Sequence, residues 1–348
     1  MKSSKIICLF FGLFFILSVC GLTADEVQQQ TYASRLILTA PWGQKNLYMD
    51  REPSPPGEFG IFDPYTRNPK AFDEGPVQGP STFTIAPDGN IYIVDTFNHR
   101  LQRFNQYGSF VSSFSLFETG SGWVEDISVD ASGNIYLLYL GAPQVRKFDS
   151  AGKLLKIIYL FDHQDPDAKG MNTGGGSTKL YCDNSGRLFL SYYKENEKAQ
   201  MIFQLGTTNA EFLPEQQKAT LRKGSAGMSG IILNKNQIFQ FIDGNMFSVD
   251  NLGKTVTEFK SLGSYSFLDV DSFNFIYLIS FNGENDIFTI RKQTPEAKFI
   301  TSFEWRNIGY AQHNLNKPIT VDSQGNIYIL DSTKSGITIT KWSSADGK

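Results

Sequence analysis

The chain has 348 residues, of which 14% are aromatic and 19% charged, with 31 Gly and a formal net charge of −3. A slightly acidic chain without a basic patch excludes the usual nucleic-acid-binding proteins. No long stretch rich in Ala, Glu, Lys, Leu and Arg is present, and abundant Gly and aromatic residues favour strands joined by turns.

Residues 1–24 have the pattern of a secretory signal peptide: a basic start, an apolar run over 6–17, and Ala24 as the expected last residue before cleavage. The run is too short to span a bilayer comfortably. We therefore expect an exported protein, located in the periplasm, the extracellular space or the cell envelope. An alternative is lipidation at Cys20, whose preceding Leu-Ser-Val resembles a bacterial lipoprotein box, and this would add a membrane anchor. Only Cys182 lies after the signal, so no internal disulfide is expected.

The mature chain, residues 25–348, is interpreted as a single domain. Its first element is a predicted strand at 34–42, "SRLILTAPW". Residues 43–78 are rich in Pro and are predicted to form a long loop across one face of the domain. The remaining residues, 79–345, contain a repeat.

The repeat is marked by a Gly or Asn turn that returns roughly every 40–50 residues, which is the length of one four-stranded propeller blade with its loops. The turn residues are Gly89, Gly133, Gly186, Asn236, Asn274 and Gly325. A hydrophobic–aromatic–hydrophobic run follows each turn, and its aromatic residues are Tyr92, Tyr136, Phe189, Phe239, Tyr277 and Tyr328. Such a run predicts a strand that is buried on both faces.

The requirements of the turn explain why this sequence pattern recurs. Gly and Asn tolerate the positive φ that a tight hairpin needs. Four of the six turns are preceded by an Asp whose carboxylate is expected to bond to turn N–H groups, namely Asp130, Asp183, Asp271 and Asp322. We predict an all-β, six-bladed β-propeller. Its last blade lacks a fourth strand, and the N-terminal segment 34–42 is predicted to complete it and leave no open edge.

The stretch "PDGNIYIVDTFNHRLQRFNQYGSF", residues 87–110, resembles the NHL repeat, including its Asn98-His99-Arg100. The resemblance implies a six-bladed propeller of the NHL or TolB-like kind. It extends over 79–345 as a pattern, strongly in about a third of it. That family contains protein scaffolds, RNA-binding modules and a few enzymes, so the resemblance does not select a function.

Candidate binding residues lie in loops between strands two and three of a blade, or before inner strands, and both sets of loops open onto one propeller face. They are His99, Arg100, Trp123, Glu125 and Tyr193. Exposed aromatic residues at such a face predict recognition of a protein or peptide partner. Other aromatic residues placed there are Tyr192, Phe281 and Tyr310. His99 and Arg100 belong to the repeat, which favours a structural role for them over a binding role.

The alternative function is a metal-dependent hydrolase or lyase with its site in the central channel. The chain has three His, and no catalytic motif is recognised in it. Glu125 and Asp126 precede an inner strand, and as sequence neighbours they are expected to face opposite sides. The segment Asp162–Asp167 offers carboxylates and His163 for Ca²⁺ or Zn²⁺, but no complete metal motif. Cys182 aligns with Val and Ile, which predicts buried packing. We expect no cofactor and no catalytic residue.

Overall fold

The computed structural model describes residues 31–45, 54–64, 76–116, 123–139, 144–159, 179–182, 187–194, 199–207, 219–223, 230–234, 237–242, 245–249, 255–259, 266–273, 275–294, 298–306, 309–311 and 317–345. The predicted signal segment 1–24 and the candidate metal segment Asp162–Asp167 lie outside these residues. Within them, the chain folds into 25 strands and a 3-10 helix, Thr96–Asn98.

The described strands form six sheets, which we number from 1 to 6 in chain order. Sheet 1 contains β3 (Thr82–Ile85), β4 (Ile91–Asp95), β5 (Arg100–Phe104) and β6 (Phe110–Ser115). Sheet 2 contains β7 (Val124–Val129), β8 (Ile135–Tyr139), β9 (Gln144–Phe148) and β10 (Leu154–Tyr159). Sheet 3 contains β11 (Lys179–Cys182), β12 (Arg187–Lys194), β13 (Ala199–Thr207) and β14 (Ala219–Lys223).

Sheet 4 contains β15 (Gly230–Asn234), β16 (Gln237–Ile242), β17 (Asn245–Val249) and β18 (Thr255–Phe259). Sheet 5 contains β19 (Ser266–Val270), β20 (Ile276–Asn282), β21 (Ile287–Gln293) and β22 (Phe299–Arg306). Sheet 6 has five strands, in the order β2 (Phe59–Ile61), β1 (Tyr32–Lys45), β25 (Gly336–Ser344), β24 (Ile327–Thr333) and β23 (Ile319–Val321). Except for β1 and β2, which are parallel, all paired strands are antiparallel.

The inner strands of neighbouring sheets contact one another: β3 with β7, β7 with β11, β15 with β19, β19 with β23, and β23 with β3. Four-stranded antiparallel sheets that meet at their inner strands have the architecture of a β-propeller. The predicted all-β propeller class is therefore confirmed. The core lies between adjacent sheets, where apolar residues of sheets 6 and 1, and of sheets 1 and 2, form shared clusters.

The N-terminal strand β1 joins the sheet built by the C-terminal strands. Its register with β25 runs from Tyr32 opposite Ser344 to Pro41 opposite Gly336. The predicted strand 34–42 lies inside β1. The sequence did not predict β2, a three-residue strand in the Pro-rich region that pairs with β1 at Trp42–Phe59. A strand this short, between Pro and Gly residues, has little propensity of its own and forms by pairing with β1.

The turn residues have the predicted backbone geometry, with φ of +81° at Gly89, +80° at Gly133 and +78° at Gly325. In sheet 2, the Asp130 carboxylate accepts hydrogen bonds from the N–H of Ser132 (2.9 Å) and from the N–H and side-chain amide of Asn134 (both 2.8 Å). It also accepts one from the hydroxyl of Tyr136 at 3.1 Å. One carboxylate thus satisfies the turn and fixes the strand that follows it.

The same bond between a turn Asp and an aromatic hydroxyl recurs in the sheets whose turns are described. Asp271 accepts from Tyr277 at 2.9 Å, and Asp322 accepts from Tyr328 at 3.0 Å. Burial raises the pKa of both Tyr277 and Tyr328. Sheet 1 differs because Ala86 occupies the Asp position, and there the carboxylate of Asp88 binds Asn90.

In sheets 1, 2, 5 and 6, a basic residue on the next strand is paired with the Tyr that follows the turn. The sequence did not predict this pairing. The pairs are Tyr92–Arg103, Tyr136–Lys147, Tyr277–Lys292 and Tyr328–Lys341. In the last three, the Nζ atom is 5.5, 5.5 and 5.3 Å from the ring centroid. Cation–π contact of this kind adds to the packing of the central strands.

Two leucines of β1 test how much the packing of this strand stabilises the protein. Leu38 is 2% exposed in the core between sheets 6 and 1, whereas Leu36 is 58% exposed. Leu38→Ala should lower the free energy of unfolding by about 2–5 kcal/mol, because it leaves a cavity. Leu36→Ala should change it by less than about 0.5 kcal/mol. Denaturant unfolding measures both, and equal losses would show that β1 does not pack as described.

Candidate functional site

Arg100, a predicted binding residue, is buried in β5 and holds another part of the chain. Its Nε donates to the Asp95 carboxylate at 2.8 Å. Its terminal nitrogens donate to the carbonyl oxygens of Ser54 (2.6 Å), Pro55 (3.0 Å) and Glu58 (2.6 Å). The guanidinium therefore binds the main chain of the Pro-rich region. We call residues 54–61 the docked segment.

Neighbouring side chains of sheet 1 complete the binding of the docked segment, and each bond is to a main-chain group. The N–H groups of Ser54, Gly57 and Gly60 donate to Asn98 (3.1 Å), Gln102 (2.8 Å) and Asp95 (2.9 Å), and Gln102 donates to the Glu58 carbonyl (2.7 Å). Burial raises the pKa of Asp95, and the Arg100 charge opposes that shift. The docked segment, which turns at Pro55–Glu58 before it enters β2, is thus recognised through its backbone.

His99 shapes the loop that leads into β5. It caps the 3-10 helix Thr96–Asn98 in the left-handed region, with φ of +47°, and its carbonyl accepts from the N–H of Leu116 at 2.6 Å. The ring is half-buried, and burial lowers its pKa. His99 and Arg100 are thus adjacent in sequence but make different contacts: the first closes a loop, and the second binds the docked segment.

Trp123 ends a row of half-buried aromatic rings beside the docked segment. Its ring is 5.6 Å from that of Phe97 in an edge-on contact, and Phe97 stacks on Phe62 at 6.1 Å. Phe97 also lies against Gly60, where an added Cβ would meet the Phe97 side chain at 2.7 Å. The structure therefore brings Trp123 and the docked segment together at the same end of sheets 1 and 2.

Glu125 and Asp126 lie inside the inner strand β7, not before it, and both are buried. The expectation of a loop position is wrong because β7 begins at Val124. A register irregularity between Val124 and Asp126 also interrupts the alternation of faces on which the expected orientation depended. Burial, followed by the charge of Asp126, raises the pKa of Glu125 to about 8.

Asp126 faces a central cavity of about 410 Å³, where its Oδ1 is 2.8 Å from the Nζ of Lys317. Its other oxygen accepts from the N–H of Leu180 at 2.9 Å. Residues from five sheets line the cavity, and four of these sheets contribute further polar side chains, among them Thr84, Ser128, Asp269 and Thr320. The Asp126–Lys317 pair joins sheets 2 and 6 across the centre of the molecule.

Cys182 also lines this cavity and is half-buried, so the expectation of fully buried packing is wrong. The aligned residues Ile85 and Val321 are likewise half-buried and line the cavity. Ile85 and Val321 also pack against apolar clusters between sheets, and Val129 at the same repeat position is a buried member of one, so this position borders both the cavity and the core.

The other predicted face residues are dispersed. Tyr193 lies within β12, where its backbone pairs with Gln200, and Tyr192 precedes it in the same strand. Phe281 is 53% exposed on β20. The Tyr310 hydroxyl donates to Asp63 at 2.9 Å, a contact that ties sheet 6 to the Pro-rich region.

Sequence reasoning missed Arg146, which is buried in β9 with its guanidinium 4.2 Å from the centroid of the Tyr139 ring. The amino-acid sequence contains a pattern that indicates this position. "VRKF" in sheet 2 corresponds to "LQRF" in sheet 1, and each places a polar residue two positions before a core Phe. Such a polar residue on a core-facing position of a strand needs a partner.

No group of three or more His, Cys, Asp or Glu side chains within the described ranges is arranged to hold a metal ion. Nor does any helix of this part of the chain have the length and hydropathy to cross a membrane.

No protein-family model and no curated protein matches the chain significantly. Among solved structures, virginiamycin B lyase from Staphylococcus aureus is 13% identical, covers 76% of this chain and 95% of its own, and has a TM-score of 0.47. A gluconolactonase from Xanthomonas campestris is 12% identical, with coverages of 77% and 85% and a TM-score of 0.46. A DUF4623 family protein from Bacteroides eggerthii is 11% identical, with coverages of 76% and 70% and a TM-score of 0.48. Likenesses this distant carry no argument about activity.

Removing the Arg100 guanidinium tests whether it holds the docked segment. Arg100→Met removes the positive charge beside the buried Asp95 and one donor from each of three main-chain carbonyls, and should cost about 3–5 kcal/mol of unfolding free energy. The segment should also become a site of rapid proteolysis, which mass spectrometry locates. Arg35→Met, at an exposed arginine of β1, is the control. The assignment fails if the two variants unfold and are cleaved alike.

The raised pKa of Glu125 predicts a pH dependence of stability. The folded protein keeps this proton until about pH 8, whereas the unfolded chain releases it near 4.5. Stability should therefore fall by up to about 1.4 kcal/mol per pH unit as the pH rises between these values. Glu125→Gln should remove this contribution. Melting temperatures across the range measure the difference from wild type, with Glu284→Gln, at an exposed position, as control. A parallel profile for Glu125→Gln would contradict the assignment.

Proposed function

We propose that the protein is an exported, six-bladed NHL-type β-propeller that binds a protein or peptide partner without catalysing a reaction. The proposed recognition surface is the face that carries Trp123 and the docked segment. The observation that supports it most directly is the docked segment itself. On this face, side chains of sheet 1 bind residues 54–60 through seven hydrogen bonds to main-chain groups.

Recognition through main-chain groups suits a scaffold for peptides, because any sequence offers the same donors and acceptors. Specificity then comes from side chains beside the bound backbone. The aromatic row of Phe62, Phe97 and Trp123 is next to the docked segment, and half-buried aromatic residues are common anchors at protein interfaces.

The count of six blades is supported by six sheets among the described residues. The NHL assignment is supported by the role of Asn98 and Arg100, which organise the loop and strand where the repeat text is strongest. Export is supported by the signal-like pattern of residues 1–24, with lipidation at Cys20 as the alternative route to the envelope.

The enzymatic alternative places a metal in the central cavity, near Asp126 and Lys317. Elemental analysis of the purified mature protein separates the two functions. One bound Ca²⁺ or Zn²⁺ per chain would favour the enzyme, whereas a metal-free protein that binds peptides would favour the scaffold.

Two aromatic variants test binding: one at Trp123, on the proposed surface, and one at Tyr193, in β12 of sheet 3. Trp123→Ala and Tyr193→Ala should each weaken binding to immobilised hexapeptide libraries by roughly tenfold, which is typical of an interface anchor, and leave the melting temperature nearly unchanged. Lys153→Glu, an exposed position in the turn at the opposite end of sheet 2, is the control and should bind as wild type does. Unchanged binding by both aromatic variants, or binding lost only when the fold is also lost, would reject this surface.

A further inference from the structure

The central cavity extends from the Asp126–Lys317 pair to the end of the molecule opposite the docked segment. At that end it is lined by exposed residues of the hairpin turns of sheets 1 and 6, namely Pro87, Asp88, Ser323 and Gln324. Its volume of about 410 Å³ falls within the range of small-molecule sites, which is about 300–1,000 Å³. Space for a small ligand is therefore present, and exposed turns border its entrance.

The described residues that line the cavity carry more negative than positive charge. The acidic residues are Asp88, Asp126, Asp269 and Asp322, and the basic residues are Lys317 and Lys341. Lys317 neutralises Asp126 at 2.8 Å, and Asp322 and Lys341 both contact Tyr328 in sheet 6. The negative excess therefore comes from Asp88 at the exposed turn and from Asp269. A cleft with an excess of carboxylates concentrates cations.

Asp269 brings its carboxylate to the cavity from sheet 5. It belongs to the inner strand β19, and its Oδ2 accepts from the N–H of Val321 at 3.3 Å. Val321 follows Lys317 by four residues, which is roughly 13 Å along an extended chain. The Lys317 ammonium is thus held at the other end of the cavity by Asp126 and does not neutralise Asp269.

A buried hydroxyl lies next to this carboxylate. Thr320 precedes the N–H that Asp269 binds, lines the same cavity and is 8% exposed. Among the described residues, its hydroxyl has no hydrogen-bond partner, although most buried polar side chains have one. An ammonium group has three donors, and hydroxyl and carboxylate oxygens accept from them. Thr320 and Asp269 therefore offer complementary acceptors for such a group.

We propose that the central cavity binds a small organic cation, a primary amine whose ammonium group is held by the Asp269 carboxylate and the Thr320 hydroxyl. This site is separate from the proposed peptide-binding surface and does not rest on it. A metal ion needs several converging ligands, and the described ranges contain no group of three His, Cys, Asp or Glu side chains arranged for one. An ammonium group needs only one carboxylate and neighbouring hydroxyl groups.

Cys182 lines the same cavity and is the only Cys in residues 25–348, so it reports on access to the site. The mature protein is labelled with two methanethiosulfonate reagents of similar size, one carrying an ethylammonium group and the other an ethylsulfonate group. Each rate is divided by the rate of the same reagent with free mercaptoethanol. The cationic reagent should then react about tenfold faster, because the acidic cavity concentrates it.

Putrescine, a small diamine, serves as the ligand probe. We expect a Kd of about 1 mM, so that about 10 mM putrescine slows the labelling of Cys182 roughly tenfold. Butanediol has the same length without the charges and should not slow it.

Asp269→Asn removes the charge and keeps an acceptor for the Val321 N–H. This variant should lose both the preference for the cationic reagent and the protection by putrescine. Asp286→Asn makes the same change of charge at an exposed residue of sheet 5 and should behave as wild type does. Melting temperatures show whether both variants fold, and the wild-type measurements test the proposal independently of them.

Four results would overturn this site. They are equal normalised rates for the two reagents, no labelling of native Cys182 by either reagent, equal protection by putrescine and butanediol, and full protection by putrescine in a folded Asp269→Asn variant. Protection by Ca²⁺ instead of putrescine would assign the cavity to a metal and would also reject the proposal. None of these results bears on peptide binding at the other end of the molecule.

Discussion

The pairing of β1 with β25 is the constraint on which the site depends. It places the N-terminal strand in sheet 6, against the core that sheet 6 shares with sheet 1. The parallel pairing of β2 with β1 then carries the Pro-rich region to the boundary between those sheets. Arg100 binds the main chain of the docked segment because the pairing of β1 and β2 positions that segment beside sheet 1. Backbone recognition on this face is thus a consequence of how the ends of the chain share a sheet.

What the sequence predicts well is local. The turn at Gly133 needs a positive φ, and its hydrogen bonds come from Asp130 and Tyr136, which are only a few residues away. The amino-acid sequence alone therefore identifies this hairpin. The short strand β2 has no comparable local signal, since its pairing partner lies outside the Pro-rich stretch. The start of β7 at Val124 likewise has no signal in the sequence, and for that reason Glu125 lies in a buried strand and not in the expected loop.

The types of residue in the candidate site were predictable, but the contacts that these residues make with one another were not. The positions of Trp123 and Arg100 in the repeat mark both as candidate binding residues. Whether each can contact a ligand depends on which other parts of the chain already contact it. Arg100 is occupied by the docked segment. The equivalence of Gln102 and Arg146 becomes visible only once strand register is known, because the repeat text conserves the spacing and changes the residue.

The tie between Trp42 and the carbonyl of Thr333 joins residues that are 291 positions apart. At about 5–20 residues per second, a ribosome needs roughly 15–60 s to make the chain between them. During that interval the long partner of β1, the strand β25, has not been made, and β1 has only the three-residue strand β2 to pair with. Sheet 6 can therefore be completed only after the end of the chain has been synthesised.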